Sequence, residues 1–193
     1  MSIRLLTNTG LAIMLLAAAP AAAAVTLSDA AGRYAIAPAG SSLRFSIDGV
    51  GGSGMQGRFG QFSGSVRIDP SDVGRSEVDF TIFPDSVATG QGRVDAFLKS
   101  DAVFDTANEK KIVFRSTSVR RTGDTTAEVT GRLTARGKSG TEKFTVALES
   151  ADQGSLHFRV TGKVLRSRYG MDVGTPIYSN VVDFDTDFSA SRR

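Results

Sequence analysis

Apolar and polar residues alternate with a period of two through most of the chain. Leu43, Phe45 and Ile47 alternate with Arg44, Ser46 and Asp48, and Val66 and Ile68 with Arg67 and Asp69. Val78, Phe80 and Ile82 continue the pattern, as do Ile112 and Phe114, then Phe144, Val146 and Leu148, then Leu156, Phe158 and Val160. Near the end, VVDFDTDFSA puts Val182, Phe184, Thr186 and Phe188 on one face of a strand and Asp183, Asp185 and Asp187 on the other. These runs are separated by DPSDVG, RTGDT, GKSG and ADQG, which predicts antiparallel strands joined by hairpins. One segment departs from the pattern. In GRVDAFLKSDAVFD, Val94, Phe97 and Leu98 have i, i+3, i+4 spacing, which predicts a short amphipathic helix near residues 93–99.

Many strands and one small helix, with no internal repeat, make a single all-β domain, and a sandwich and a closed barrel both fit the alternation. Closure would remove strand edges and leave an interior lined by one face of every strand. Most of the 12 phenylalanines fall on the inner phase, so that interior would be dry and aromatic. Alternation does not say which face is inside. A membrane-spanning barrel would turn the apolar face to lipid, and its lumen would then hold Arg44, Asp48, Arg67, Asp69, Asp79, Arg115, Arg159, Asp183 and Asp185. The chain has no Trp and 3 Tyr, too few for aromatic girdles, which disfavours that arrangement.

Composition changes the picture mainly at the N-terminus. Residues 1–24 carry one cation, Arg4, then an apolar stretch and alanines at cleavage positions, the pattern of a secretory signal cut after Ala24. The mature domain is then 25–193, and 193 less 24 leaves 169 residues, enough for one core. The expected compartment is the periplasm. There is no cysteine, so neither a lipidated anchor nor a disulfide is available. The net charge of +3 less Arg4 is +2, with cations scattered among acids, which does not suit nucleic acid.

Candidate chemistry is sparse. Asp183, Asp185 and Asp187 splay along one strand and do not converge as ligands of a hard cation must, so a solvated face is expected rather than a metal site. The single histidine, His157, lies on the outer strand phase and has no G-x-S-x-G partner. The stretch from Gly49 to Gly54 matches G-x-G-x-x-G, but a strand pattern follows it where a dinucleotide site needs a helix. Asp69 with Asp72, and Asp95 with Asp101, sit in turn-like contexts that suit capping better than acid–base work. No catalytic residue and no metal ligand are expected.

YAIAPAGSSLRFSIDGV, GRFGQFSGSVRIDP, TGQGRVDAFLKSDAVFDTANEKKIVFRSTSV, VTGRLTARGKSG and LRSRYGM follow in order and spacing the blocks of the YceI-like family, which the whole mature chain resembles. The resemblance implies a lipocalin-like antiparallel β-barrel of about eight strands whose apolar tunnel takes polyisoprenoid lipids or isoprenoid quinones. Three positions depart from the family pattern. Phe97 stands for His in D-x-H-L, Arg136 for His in L-T-x-H-G, and Arg168 for Asp in R-S-D-F-G, where Tyr169 also replaces Phe.

The expectation is therefore a periplasmic, non-catalytic carrier of a long-chain isoprenoid, with no catalytic cofactor, no nucleic-acid partner and no stable membrane insertion, and with homodimerisation left open. The tunnel candidates are Phe45, Ile47, Phe59, Phe62, Phe80, Ile82, Phe97, Leu98, Phe104, Phe114, Phe144, Phe158, Tyr169 and Phe184. The rival is a cell-envelope enzyme using carboxylates on lipid-linked or saccharide substrates, which needs a polar, carboxylate-lined cavity. A bare interaction module would have a filled core.

Overall fold

The computed structural model describes residues 25–152 and 154–193. The export leader expected at residues 1–24 lies outside the described residues. Period-two patterning becomes strands β1 (Gly32–Ile36), β2 (Leu43–Ile47), β3 (Met55–Phe59), β4 (Phe62–Ile68), β5 (Glu77–Ile82) and β6 (Val87–Ala88). After helix α1 (Gly92–Lys99) come the long strands β7 (Ile112–Arg121), β8 (Thr126–Ala135), β9 (Lys138–Asp152), β10 (Ser155–Leu165) and β11 (Val181–Arg192).

Eight strands close in the order β1-β4-β5-β7-β8-β9-β10-β11 and back to β1, every pairing antiparallel. The remaining three form a ribbon, β2-β3-β6, attached to the N-terminal part of β11 through Asp183↔Ser46 and Phe184↔Phe45. The length of β11 allows this, because its C-terminal residues 190–192 pair with β1 while its first half pairs with β2.

Two bulges help the sheet to close. One extra residue, Thr117, interrupts the β7–β8 register, and Glu149 interrupts β9–β10. A bulge bends and twists its strand, and it also switches which parity points inward. Ile112 and Phe114 face the interior before Thr117, and the odd-numbered Val119 faces it afterwards.

The apolar phase faces inward throughout, and the outer face carries cross-strand ion pairs such as Arg67 with Glu77 and Arg159 with Asp185. One barrel end is sealed by the turn at residues 27–30, where Leu27 and Ala30 are buried against Tyr34 and the Leu27 amide donates to Asp124 O. At the other end lie α1, the β8–β9 hairpin and the segment from Arg166 to Ser179.

Candidate functional site: an apolar barrel cavity

Four cross-strand pairings explain why the interior is hollow. The rings of Phe45, Phe80, Phe114 and Phe144 lie against Gly57, Gly64, Gly131 and Gly162, where a Cβ could not stand. Three of these pairs are direct register partners, and Phe114 reaches Gly131 diagonally. Each glycine lets a ring lie along the wall instead of projecting into the lumen. Edge-to-face contacts fix the rings further, with Phe114–Phe144 centroids 5.3 Å apart and Phe144–Phe184 centroids 6.3 Å apart.

These walls enclose a cavity of about 230 Å³. That is below the roughly 300–1,000 Å³ usual for small-molecule sites, so it suits a slender chain segment rather than a bulky polar body. Its lining includes Phe45, Ile47, Phe59, Phe80, Ile82, Leu98, Phe104, Phe114, Phe144, Phe158, Tyr169 and Phe184 from the sequence candidates. Ser76, Thr186, Arg166 and Tyr169 are the lining residues with a polar side-chain atom, and almost none of that polar surface reaches the cavity. Thr186 is satisfied through its hydroxyl, which donates to Val160 O at 3.2 Å.

Two candidates need correction. Phe62 is buried but lies outside the lining, packed with Phe80 and Phe188 at centroid separations of 5.6 and 5.7 Å. Phe97 is 49% exposed and does not face the cavity at all. The reason lies in the rotation of α1. Asp95 accepts hydrogen bonds from the Thr89 amide at 2.7 Å and its hydroxyl at 2.6 Å, which pins that side of the helix inward. Leu98 then becomes the inward residue, 3% exposed, and Phe97, about 100° away around the axis, is left in solvent.

Sequence patterning also missed residues. Val119 is hidden by the bulge before it, and Phe188 continues the alternation that included Phe184. Arg166 and Met171 line the end beyond β10, where no periodicity flags them. Arg166 is 7% exposed and has no carboxylate partner among the described residues. Its five N–H donors are all used by oxygens of the following segment. Nε donates to Ser179 O, Nη1 to Met171 O and Val173 O, and Nη2 to Thr175 Oγ1 and Tyr178 O. Burial pulls its pKa down, but a guanidinium so surrounded stays charged. It serves as a staple for the 171–179 segment and has no donor left for a ligand.

Beside it is one buried carboxylate. Glu142 is 6% exposed, and its Oε1 accepts from Tyr169 Oη and Arg168 Nη1, both at 2.7 Å. Burial, and then the bond to this carboxylate, push the Tyr169 phenol well above its ordinary range.

The other polar candidates have structural partners. Asp183 pairs with Lys163, Asp185 with Arg159 at 2.6 Å and Asp187 with Arg44 at 2.6 Å, each carboxylate on the outer face with its own cation. The hydrogen bond from Arg159, and then the guanidinium charge beside it, hold Asp185 below the usual carboxylate range. Asp69 accepts from the amides of Ser71 and Asp72 and is lowered by those bonds, and Asp72 caps Gly74. His157 Nδ1 lies 3.0 Å from Ser189 Oγ. The Gly49–Gly54 stretch is a turn into β3, with Gly51 and Gly52 in left-handed conformation.

A closed eight-stranded antiparallel barrel around an apolar cavity is a lipocalin-like fold. The YceI-like domain model matches residues 34–190, and the chain belongs to that family. It is 30% identical over 146 residues to a UPF0312 protein of Vibrio vulnificus, covering 76% of this chain and 73% of the relative. A UPF0312 protein of Staphylococcus aureus is 31% identical over 159 residues, covering 78% and 90%. Among solved structures, BcnA of Burkholderia cenocepacia superposes with a TM-score of 0.74 at 22% identity, over 81% of this chain and 99% of that one. A polyisoprenoid binding domain from Saccharophagus degradans, implicated in plant cell wall breakdown, gives 0.67 at 16% identity, over 84% and 99%. Both share the fold.

Proposed function

We propose that this protein binds and carries a long-chain isoprenoid, a polyisoprenoid lipid or isoprenoid quinone, in the periplasm without chemically altering it. The observation that carries this reading is the cavity, hydrocarbon on nearly every side and kept open by rings laid flat on glycines. Burying each methylene is worth about 0.8 kcal/mol, so even part of a prenyl tail supplies a strong gross drive, which ordering of the tail partly offsets. Branched methyls fit a wall of aromatic and β-branched side chains. A polyisoprenoid binding domain on the same fold supports the ligand class, and the leader pattern supports export.

An enzyme working through carboxylates would need one free at the cavity. Glu142, the buried carboxylate at this end, has one oxygen taken by Tyr169 and Arg168 and does not line the space. The test is gentle purification of the exported protein, solvent extraction and mass spectrometry. Near-stoichiometric prenyl lipid is expected. Protein that is lipid-free on isolation and takes up no prenyl compound would overturn the proposal.

A further inference from the structure

The cations at the polar end of the barrel are not all neutralised. The β8–β9 hairpin turns at Arg136 and Gly137, both with positive φ, and this turn meets Gly170. Arg136 Nη1 donates to Gly170 O at 2.8 Å, and its Nη2 donates to Asp101 O at 2.8 Å. Lys138 Nζ lies 2.8 Å from where a Cβ on Gly170 would stand, so the missing side chain lets both cations approach the same residue. Unlike Arg168, which Glu142 neutralises, neither Arg136 nor Lys138 has a carboxylate partner among the described residues. Glu109 stands beside the turn, its Oε1 3.8 Å from where a Cβ on Gly137 would stand.

The chain neighbours of these groups form the cavity's end wall. Ala135 precedes Arg136, Tyr169 and Met171 flank Gly170, and Val103 follows Asp101 by two residues, and all four line the cavity. Two unneutralised cations thus stand just outside the end wall of a space that takes hydrocarbon. An amphiphile with its tail inside would bring its head group to them.

We infer that Arg136 and Lys138 form a head-group site for a phosphate or diphosphate ester, so that the preferred ligand is a prenyl phosphate rather than a neutral prenyl alcohol or quinone. This rests on the isoprenoid-carrier reading and narrows its ligand class. A phosphate oxygen offers charge-assisted hydrogen bonds that a hydroxyl or carbonyl head does not. Arg136 keeps guanidinium protons beyond those on the two carbonyls, and the Lys138 ammonium has no ion-pair partner among the described residues.

Calorimetric titration of the full mature chain with geranylgeranyl monophosphate, geranylgeraniol and inorganic phosphate tests this. The phosphate ester should bind about tenfold tighter than the alcohol, the size expected of partly solvent-screened charge contacts. Lys138→Gln changes an exposed side chain and should weaken the ester several-fold more than the alcohol. Arg136→Gln should remove most of the remaining preference, with melting followed to show that the barrel is intact. Glu109→Gln should tighten the ester and not the alcohol. Equal affinities for ester and alcohol, or equal losses in Lys138→Gln, would overturn the inference. So would inorganic phosphate binding as tightly as the ester, which would mean a free-anion site. Failure of both prenyl compounds would overturn the carrier reading, and this inference with it.

Discussion

The flat rings on glycines make Gly162→Ala the most direct test of how the cavity is kept open. A Cβ on Gly162 would stand 2.9 Å from Phe144 Cε1 and closer still to Cδ1, with Lys143 O at 3.1 Å behind it. Restoring ordinary van der Waals separation requires the ring to move by about 1 Å. The backbone of β9 blocks retreat into the sheet, and Phe114 packs against the ring at 5.3 Å, so the open direction is the lumen. Overpacking of this kind costs about 1–3 kcal/mol, a fall in Tm of roughly 3–10 °C for a domain of this size. The barrel should still fold, and bound prenyl lipid, measured by mass spectrometry of extracts, should drop sharply because the ring occupies space the chain uses. Adding Phe144→Leu to Gly162→Ala removes the clashing ring edge and should recover both Tm and lipid. Normal lipid content in Gly162→Ala, or no recovery in the double variant, would refute the idea that glycine–ring pairs define the tunnel.

Three further outcomes follow from the geometry. Phe97→Asp should change stability by no more than about 0.5 kcal/mol and leave lipid content unaltered, since Phe97 lies in solvent; a large loss of bound lipid would mean that α1 turns this residue inward. Arg166→Met should cost about 2–4 kcal/mol, read as the shift in denaturation midpoint, because it strands the oxygens of the 171–179 segment; a variant as stable as the parent would show that this cage of bonds contributes nothing. Asp69, Asp95 and Asp185 all have depressed pKa values, so the unfolded chain binds more protons and stability should fall as pH drops below about 4 toward their folded-state values; an unchanged Tm between pH 5 and pH 2.5 would contradict this.

Local alternation was enough to find the walls of the cavity and not its ends. Phe45 and Phe80 are inward because both neighbours two residues away are apolar, and Phe144 and Phe184 because one of the two is, and that rule needs no knowledge of the partner strand. It fails where the backbone departs from period two. Thr117 shifts the phase of β7, so Val119 turns inward although counting from Phe114 puts it outside. It fails again in α1, where Val94, Phe97 and Leu98 define an apolar arc but the hydrogen bonds of Asp95 to Thr89 decide which edge of that arc is covered. A two-turn helix is too short for its own pattern to settle the rotation.

The ends of the barrel depend on residues distant in sequence, and this is where the two halves of the molecule become chemically unlike. The phase shared by Phe144 and Val146 already turns Glu142 inward, but the Tyr169 that satisfies it arrives 27 residues later on a turn without periodicity. Arg166 is buried only because the segment after it folds back and offers five oxygens, and nothing in LRSRYGM announces that cage. The opposite end closes instead with Leu27, Ala30 and Tyr34, whose hydroxyl donates to Ala30 O at 3.0 Å and accepts from Arg192 Nη2 at 2.9 Å. One end is therefore closed by apolar side chains and a tyrosine ring under a single guanidinium, and the other by a buried guanidinium and a phenol–carboxylate pair tied into the surrounding chain. A barrel built from symmetric alternation acquires a direction from these two dissimilar closures, and that direction lets a chain with one greasy and one polar end bind in a single orientation.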